Sequence, residues 1–226
     1  MKKSILILTI IFFFILKSGI SQEKPFIFGI KIAPNIGWMN PDSKNYENKG
    51  SDVGFSWGFL AEFHLMENYV INSGFNISYV NATLEYTEAV GGESGVLNRG
   101  YRLKYVEIPL TLKMKTKDFD GISYFGMIGF GAGFRLSAKA NDKFVPDGGA
   151  QVSDENDISD DIKSVRASLI MGVGLEYAMG GDTKLLTGLN FNNGINDILS
   201  NQNNADPTIN HKAINNYFEL YFAVLF

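Results

Sequence analysis

Cysteine is absent from all 226 residues, which removes disulfide frameworks, thiolate nucleophiles, cysteine-bound metal and lipid attachment at a leader-peptide cysteine. Histidine is nearly absent too, with His64 and His211 the only two. After Leu16 no apolar run approaches the roughly 20 residues that a membrane helix requires. Any crossing of a bilayer would therefore be made by strands, because only helices and closed barrels satisfy their own backbone polar groups in hydrocarbon. Proline is scarce at 6, whereas glycine at 24 and aromatics at 13% are plentiful, a composition that favours strands.

The N-terminus reads as a leader. Lys2 and Lys3 precede an apolar run from Ile5 to Leu16, and Gly19 and Ser21 stand at the minus-three and minus-one positions of a cleavage site. We expect residues 1–21 to be a signal peptide and 22–226 one barrel domain. Taking three lysines from 20 basic residues leaves 17 against 24 acidic ones, a net of minus 7 that disfavours nucleic acid as a partner.

The last ten residues, Tyr217 to Phe226, set the pattern for the rest. Phe218, Leu220, Phe222, Val224 and Phe226 fall on one face; Tyr217, Glu219, Tyr221, Ala223 and Leu225 fall on the other. Lipid covers the apolar face of such a strand and the polar face looks into a lumen. Eight segments of this kind run along the chain, beginning near Phe26, Asp52, Tyr69, Tyr101, Gly121, Ile162, Thr183 and Tyr217. Tight turns at 66–68, 117–120 and 180–182 alternate with long loops at 39–51, 87–99, 139–161 and 196–211. The fold expected is all-β, an eight-stranded antiparallel up-and-down transmembrane β-barrel of the Gram-negative outer membrane. Both termini fall on the short-turn, periplasmic side, and the barrel is expected to be a monomer surrounded by outer-membrane lipid. Tyr217, Phe218, Phe222 and Phe226 mark a C-terminal strand for the barrel-assembly machinery to read. Aromatics near both ends of the segments, among them Tyr69 and Phe226 at one end and Trp38 and Tyr79 at the other, suit two interfacial girdles.

Glycines cluster on the polar parity, at Gly58, Gly129, Gly131, Gly133, Gly172 and Gly174, leaving room inside a narrow barrel for long side chains. The same parity carries Lys31, Glu62, His64, Lys104, Glu107, Lys113, Arg135, Arg166, Glu176 and Glu219. These charges are of mixed sign, and buried charges need partners, so they read as a salt-bridged lumen network closing the bore. A solute path or proton relay is the competing reading, for which eight strands leave little width.

Other motifs weaken on inspection. GFGAG at Gly129 to Gly133 lacks the strand end and helix start of a dinucleotide loop. The acidic stretch Asp154, Glu155, Asp157, Asp160 and Asp161 lacks EF-hand spacing and reads as a solvated, mobile loop, with cation bridging to lipopolysaccharide phosphates as the alternative. Neither histidine has an evident nucleophile beside it, so catalysis is not expected, and no cofactor is implied.

Lys104 to Lys115, KYVEIPLTLKMK, is followed by the glycine-rich YFGMIGFGAGF of Tyr124 to Phe134. Together they resemble the PorT-like outer-membrane β-barrel proteins of Bacteroidota, over essentially the whole chain after the leader. The resemblance implies a barrel, and for some members a part in type IX secretion and gliding. The function expected is a structural or interaction role through the outer loops, without a wide pore. The alternatives are an accessory component of type IX secretion and a lipid-modifying barrel enzyme.

Overall fold

The computed structural model describes residues 25–226, so the expected leader at 1–21 lies outside the described residues. Nine antiparallel strands follow: β1 (Phe26–Pro41), β2 (Tyr46–Met66), β3 (Tyr69–Val90), β4 (Glu93–Lys115), β5 (Ile122–Pro146), β6 (Val152–Asp157), β7 (Val165–Gly180), β8 (Thr183–Gly194) and β9 (Ala213–Leu225). Eight of them close a ring in the order β1-β2-β3-β4-β5-β7-β8-β9, with β9 returning to pair with β1. The short β6 pairs only with the far end of β5. Ring closure follows from the solvent, since an open sheet edge in hydrocarbon would leave a row of peptide groups unbonded.

The strands are not of equal length, and the inequality locates the lipid. A bilayer crossing takes about 9–11 tilted residues, yet β3, β4 and β5 run for 22, 23 and 25. Along each of them the two faces exchange character partway. In β3 the outward side chains are Tyr69, Ile71, Phe75, Ile77 and Tyr79, and then become Asn81, Thr83 and Glu85. After Val70 at the short-turn end, the inward ones are Asn72, Asn76 and Ser78, all buried, and then become Val80, Ala82, Leu84 and Tyr86. β4 reverses at the same level, as Val106, Ile108 and Leu110 outside give way to Arg102 and Asn98, while Tyr105, Leu103 and Leu97 turn in. Below the exchange the outside is apolar because lipid touches it. Above it, water does.

β-Bulges mark this boundary. Leu136 is an extra residue in β5 opposite the Lys104 to Tyr105 step, and the β2–β3 register slips between Ser51 and Phe55. Such insertions re-aim side chains and bend a strand, and they are common at barrel rims. Pro109 interrupts the β3–β4 ladder inside the lipid zone, and the Ser73 hydroxyl donates to the Pro109 carbonyl at 3.0 Å.

Three of the four expected long loops are corrected by the structure. The segment 87–99 is strand on both sides of a two-residue turn, Gly91 and Gly92, whose φ of +63° and +89° suits glycine and the twist of a hairpin. The segment 139–161 is the β5–β6 hairpin with one 3-10 turn, Ser159–Asp161, rather than a mobile loop. The segment 39–51 shrinks to a turn at 42–45. Backbone pairing continues beyond the lipid because the reversed alternation gives the upper sheet, β2 to β6, an apolar inner face to bury. Leu84, Tyr86, Leu97, Leu103 and Tyr105 pack there against Ile158 and Ile162, and against Ile198 and Leu199 of the irregular 195–212 segment.

An arginine placed in the middle of the lipid-facing band should cost far more than one above it. Phe130→Arg is expected to lose about 2–4 kcal/mol of unfolding free energy, whereas the outward Asn98→Arg should change it by less than about 0.5 kcal/mol. Urea titration of the folded barrel in lipid vesicles measures both.

Candidate functional site

The interior holds three groups of charged side chains, each built from strands far apart in sequence. At the short-turn end Lys113 Nζ donates to Glu62 Oε1 at 2.6 Å and also pairs with Glu176. Lys115 and Lys184 reach the same Glu176 at 3.2 and 3.7 Å, and Lys113 Nζ lies 4.6 Å from the centre of the Phe125 ring. In the middle Lys31 Nζ donates to Glu219 Oε1 at 2.6 Å, which also accepts from Asn190 at 2.8 Å. Nearer the boundary Arg166 Nη1 donates to Glu107 Oε1 at 2.7 Å and Nη2 to the Asn215 carbonyl at 2.9 Å. Glu107 Oε2 accepts hydrogen bonds from the hydroxyls of Tyr217 at 2.6 Å and Ser78 at 2.7 Å.

Arg166, Lys113 and Glu62 are fully buried. Ions removed this far from water remain charged only with partners and hydrogen bonds in good geometry. Glycines supply some of the space: a Cβ on Gly172 would meet Asn190 Oδ1, and one on Gly131 would meet the Ser168 hydroxyl. Between the middle and boundary groups lies a cavity with about 40 Å³ open to water centres, lined by Lys31, Asn72, Asn76, Asn190, Glu219 and Tyr221 among others. The Oδ1 atoms of Asn72, Asn76 and Asn190 have no protein partner. Leu60, Met127 and Ile170 also line the space, which is large enough for a water to serve these amide oxygens.

Of the charges expected on the inner face, Lys31, Glu62, Glu107, Lys113, Arg166, Glu176 and Glu219 form ion pairs in this network. Lys104 is not part of it. It shares the outward parity of Val106 and Ile108, and its Nζ sits 5.1 Å from the centre of the Tyr79 ring on the outside of the barrel. The expectation misplaced it because the inward residues of β4 are the odd-numbered ones. Arg135 faces in and is half-buried, but makes no ion pair among the described residues. His64 faces in near the short-turn end. Of the C-terminal residues, Phe218, Phe222 and Phe226 point to lipid, while Tyr217 points inward to Glu107.

A second seal lies above the first and was not foreseen. The apolar core of the upper sheet fills the bore, and the 195–212 segment closes over it. Asn203 Nδ2 donates to the Tyr46 hydroxyl at 2.9 Å and to the Thr87 carbonyl at 2.7 Å, and the Asn204 amide donates to Glu88 at 2.7 Å. His211 packs edge-on against Tyr46 and Tyr86, shares a 2.6 Å hydrogen bond between Nδ1 and the Tyr46 hydroxyl, and turns Nε2 toward Glu88 at 3.7 Å. Burial lowers the His211 pKa and outweighs the opposing pull of Glu88. Burial also raises the Tyr46 pKa, so its hydroxyl stays protonated and donates. Some carboxylates of the acidic hairpin are engaged by cations: Arg99 grips Asp142 through two 2.7 Å bonds, and Lys139 holds Glu155 at 3.2 Å, whereas Asp154 and Asp157 accept from the Glu155 and Ser159 amides. Among the described residues no three acidic or histidine side chains gather as a metal site.

Residues 20–200 match the family described as outer membrane protein beta-barrel domain, and the chain belongs to it. No curated protein matches the sequence. Solved structures similar in fold include Neisserial surface protein A, 13% identical over 88% of this chain and 95% of that one, TM-score 0.43. OprG from Pseudomonas aeruginosa is 13% identical over 89% and 95%, TM-score 0.45. The outer membrane enzyme PagL is 12% identical over 85% and 97%, TM-score 0.30.

Arg166→Met strands Glu107 in the interior and is expected to cost about 3–5 kcal/mol. The double variant with Glu107→Leu should lose less than Arg166→Met alone, as read by unfolding in detergent. A double variant worse than either single one would show that the pair is more than mutual compensation. The 195–212 segment should respond to acid. Since His211 binds its proton less readily folded than unfolded, its contribution is intact above the ordinary value of 6.5 and declines as pH falls through it. Hydrogen exchange across 195–212, corrected for intrinsic rates, should quicken between about pH 7.5 and about pH 5, and His211→Gln should remove that change.

Proposed function

We propose that this outer-membrane barrel is a monomeric, non-conducting, non-enzymatic scaffold that presents an ordered platform at the cell surface. The observation that carries the reading is the double seal: paired charges fill the lipid-level bore, and an apolar core capped by 195–212 fills the part above. A solute path would have to break both. The platform is the β3–β4 and β5–β6 hairpins, stiffened by continuous backbone pairing over twice the length a bilayer needs. In this orientation the extended end faces outward and both termini lie in the periplasm, where the assembly machinery would read the strand from Tyr217 to Phe226. Against catalysis, His211 is occupied by a Tyr46 hydroxyl whose raised pKa makes it a poor nucleophile.

A second reading, that of a PorT-like accessory to type IX secretion, rests on the Lys104 to Lys115 resemblance. The structure gives several residues of that stretch work of their own, since Glu107 holds Arg166 and Lys113 holds Glu62. Deletion of the gene with normal export of secreted cargo would remove this reading.

Reconstituted in a planar bilayer, the protein should show no stable open level above the noise. A large steady conductance would overturn the scaffold reading. Protease added to intact cells should cut only at the tip around 147–151, and cuts confined to the turns at 67–68 and 181–182 would reverse the orientation.

A further inference from the structure

The outward cations of β4 and β5 are arranged in a way that the fold alone does not require. Ile77, Val106 and Phe134 form the last wholly apolar cross-strand row on this flank. The next outward row is Tyr79, Lys104 and Ser137, and the one above it is Asn81, Arg102 and Lys139. Two residues along a strand span about 7 Å before tilt. The cations therefore lie at the level of the headgroups that flank the roughly 30 Å hydrocarbon layer.

Arg102 and Lys139 are direct cross-strand partners, a like-charge arrangement that destabilises a sheet in water. Lys104 adds a third cation two residues along. One carboxylate, Glu155, serves the first two, at 3.9 and 3.2 Å, and all three of those side chains are more than half exposed. With its amide turned to satisfy hydrogen bonding, Asn141 accepts from Arg102 at 2.6 and 3.2 Å. Lys104 is steered outward over Tyr79. Beside the cations a cleft of about 320 Å³ is lined by Asn81, Thr83, Asn98, Gly100 and Lys143, among others. Its acidic member, Asp52, already accepts from the Thr83 hydroxyl at 2.7 Å. Asp157 on β6 lies cross-strand from Lys139, so the four cations Arg102, Lys104, Lys139 and Lys143 face three carboxylates, Glu155, Asp157 and Asp52, which leaves the patch net positive by one charge next to a hydrogen-bonding cleft, continuous with the lipid belt.

The geometry points to a binding site for the phosphorylated sugar headgroup of a membrane glycolipid. Arg102, Lys104 and Lys139 hold the phosphate, and the Asn81, Asn98 and Thr83 side chains meet the sugar. The acyl chains would run down over Val106, Ile108 and Phe134. Only the placing of this glycolipid in the outer leaflet rests on the orientation proposed above.

The test is native mass spectrometry of the full barrel released from detergent, with added diphosphorylated lipid A, its dephosphorylated form, or inorganic phosphate. The diphosphorylated lipid should be retained. Each headgroup-level cation is worth roughly fivefold in affinity, so Arg102→Gln/Lys104→Gln/Lys139→Gln should bind roughly a hundredfold more weakly. Lys104→Arg should bind like the unaltered chain. The triple variant must show the heat-shifted gel mobility of a folded barrel; if it does not, Lys104→Gln alone should still lose roughly fivefold. Lys44→Gln/Lys163→Gln/Lys212→Gln, which removes equal charge elsewhere, should bind unchanged. Equal retention by the Gln variants, or equal retention of dephosphorylated lipid, overturns the proposal. Displacement by inorganic phosphate at equal concentration overturns the lipid as the occupant. Protease cutting in intact cells reports on orientation separately, so failure of either reading leaves the other standing.

Discussion

Hydrocarbon accepts no hydrogen bonds, and that one property of the solvent organises this molecule. It forces the ring to close through β1 and β9, since every peptide group at lipid depth must find a partner in the protein. It puts Phe130, Leu110 and Val173 outside and drives polar side chains inward. Polar groups confined in so narrow a bore then require each other, which is why Lys113, Arg166 and Lys31 each end on a carboxylate. Where the lipid stops, the constraint is lifted and the alternation turns over. Water touches Glu85 and Arg102, and the interior becomes an ordinary apolar core.

Much of this was legible in the sequence wherever one rule applied along a whole segment. β9 shows it most plainly: the even positions from Phe218 to Phe226 face lipid as period two requires. The tight turns at 66–68 and 180–182 were legible too, from polar and glycine residues between alternating runs. Parity alone decides whether a side chain faces in, as it does for Glu62, Glu107 and Lys113. Parity does not say which partner it finds there. Glu107 meets Arg166 and Tyr217 across 59 and 110 residues, and several other inward ions share their face.

What escaped was the change of rule. Leu84, Tyr86, Leu97 and Tyr101 look like a loss of amphipathic pattern if the apolar face is assumed to be the outer one throughout. They are the same alternation with the solvents exchanged, and treating 87–99 and 139–161 as loops hid both the hairpins and the upper core. Lys104 failed for a related reason. It was grouped with the charged lumen residues by chemistry, although its even number places it beside Val106. The cap at 195–212 carries no periodicity, since side-chain amides and His211 hold it in place of a ladder.

The Arg166 and Glu107 pair also ties the closing seam to the interior. Its acid lies on β4, its base on β7, and its remaining partners are Ser78 on β3 and Asn215 and Tyr217 on β9. Without β9 the guanidinium and the carboxylate would each lack part of the shell that makes dehydration tolerable. The strand that closes the ring against β1 is thus also the one that completes the coordination of a fully buried ion.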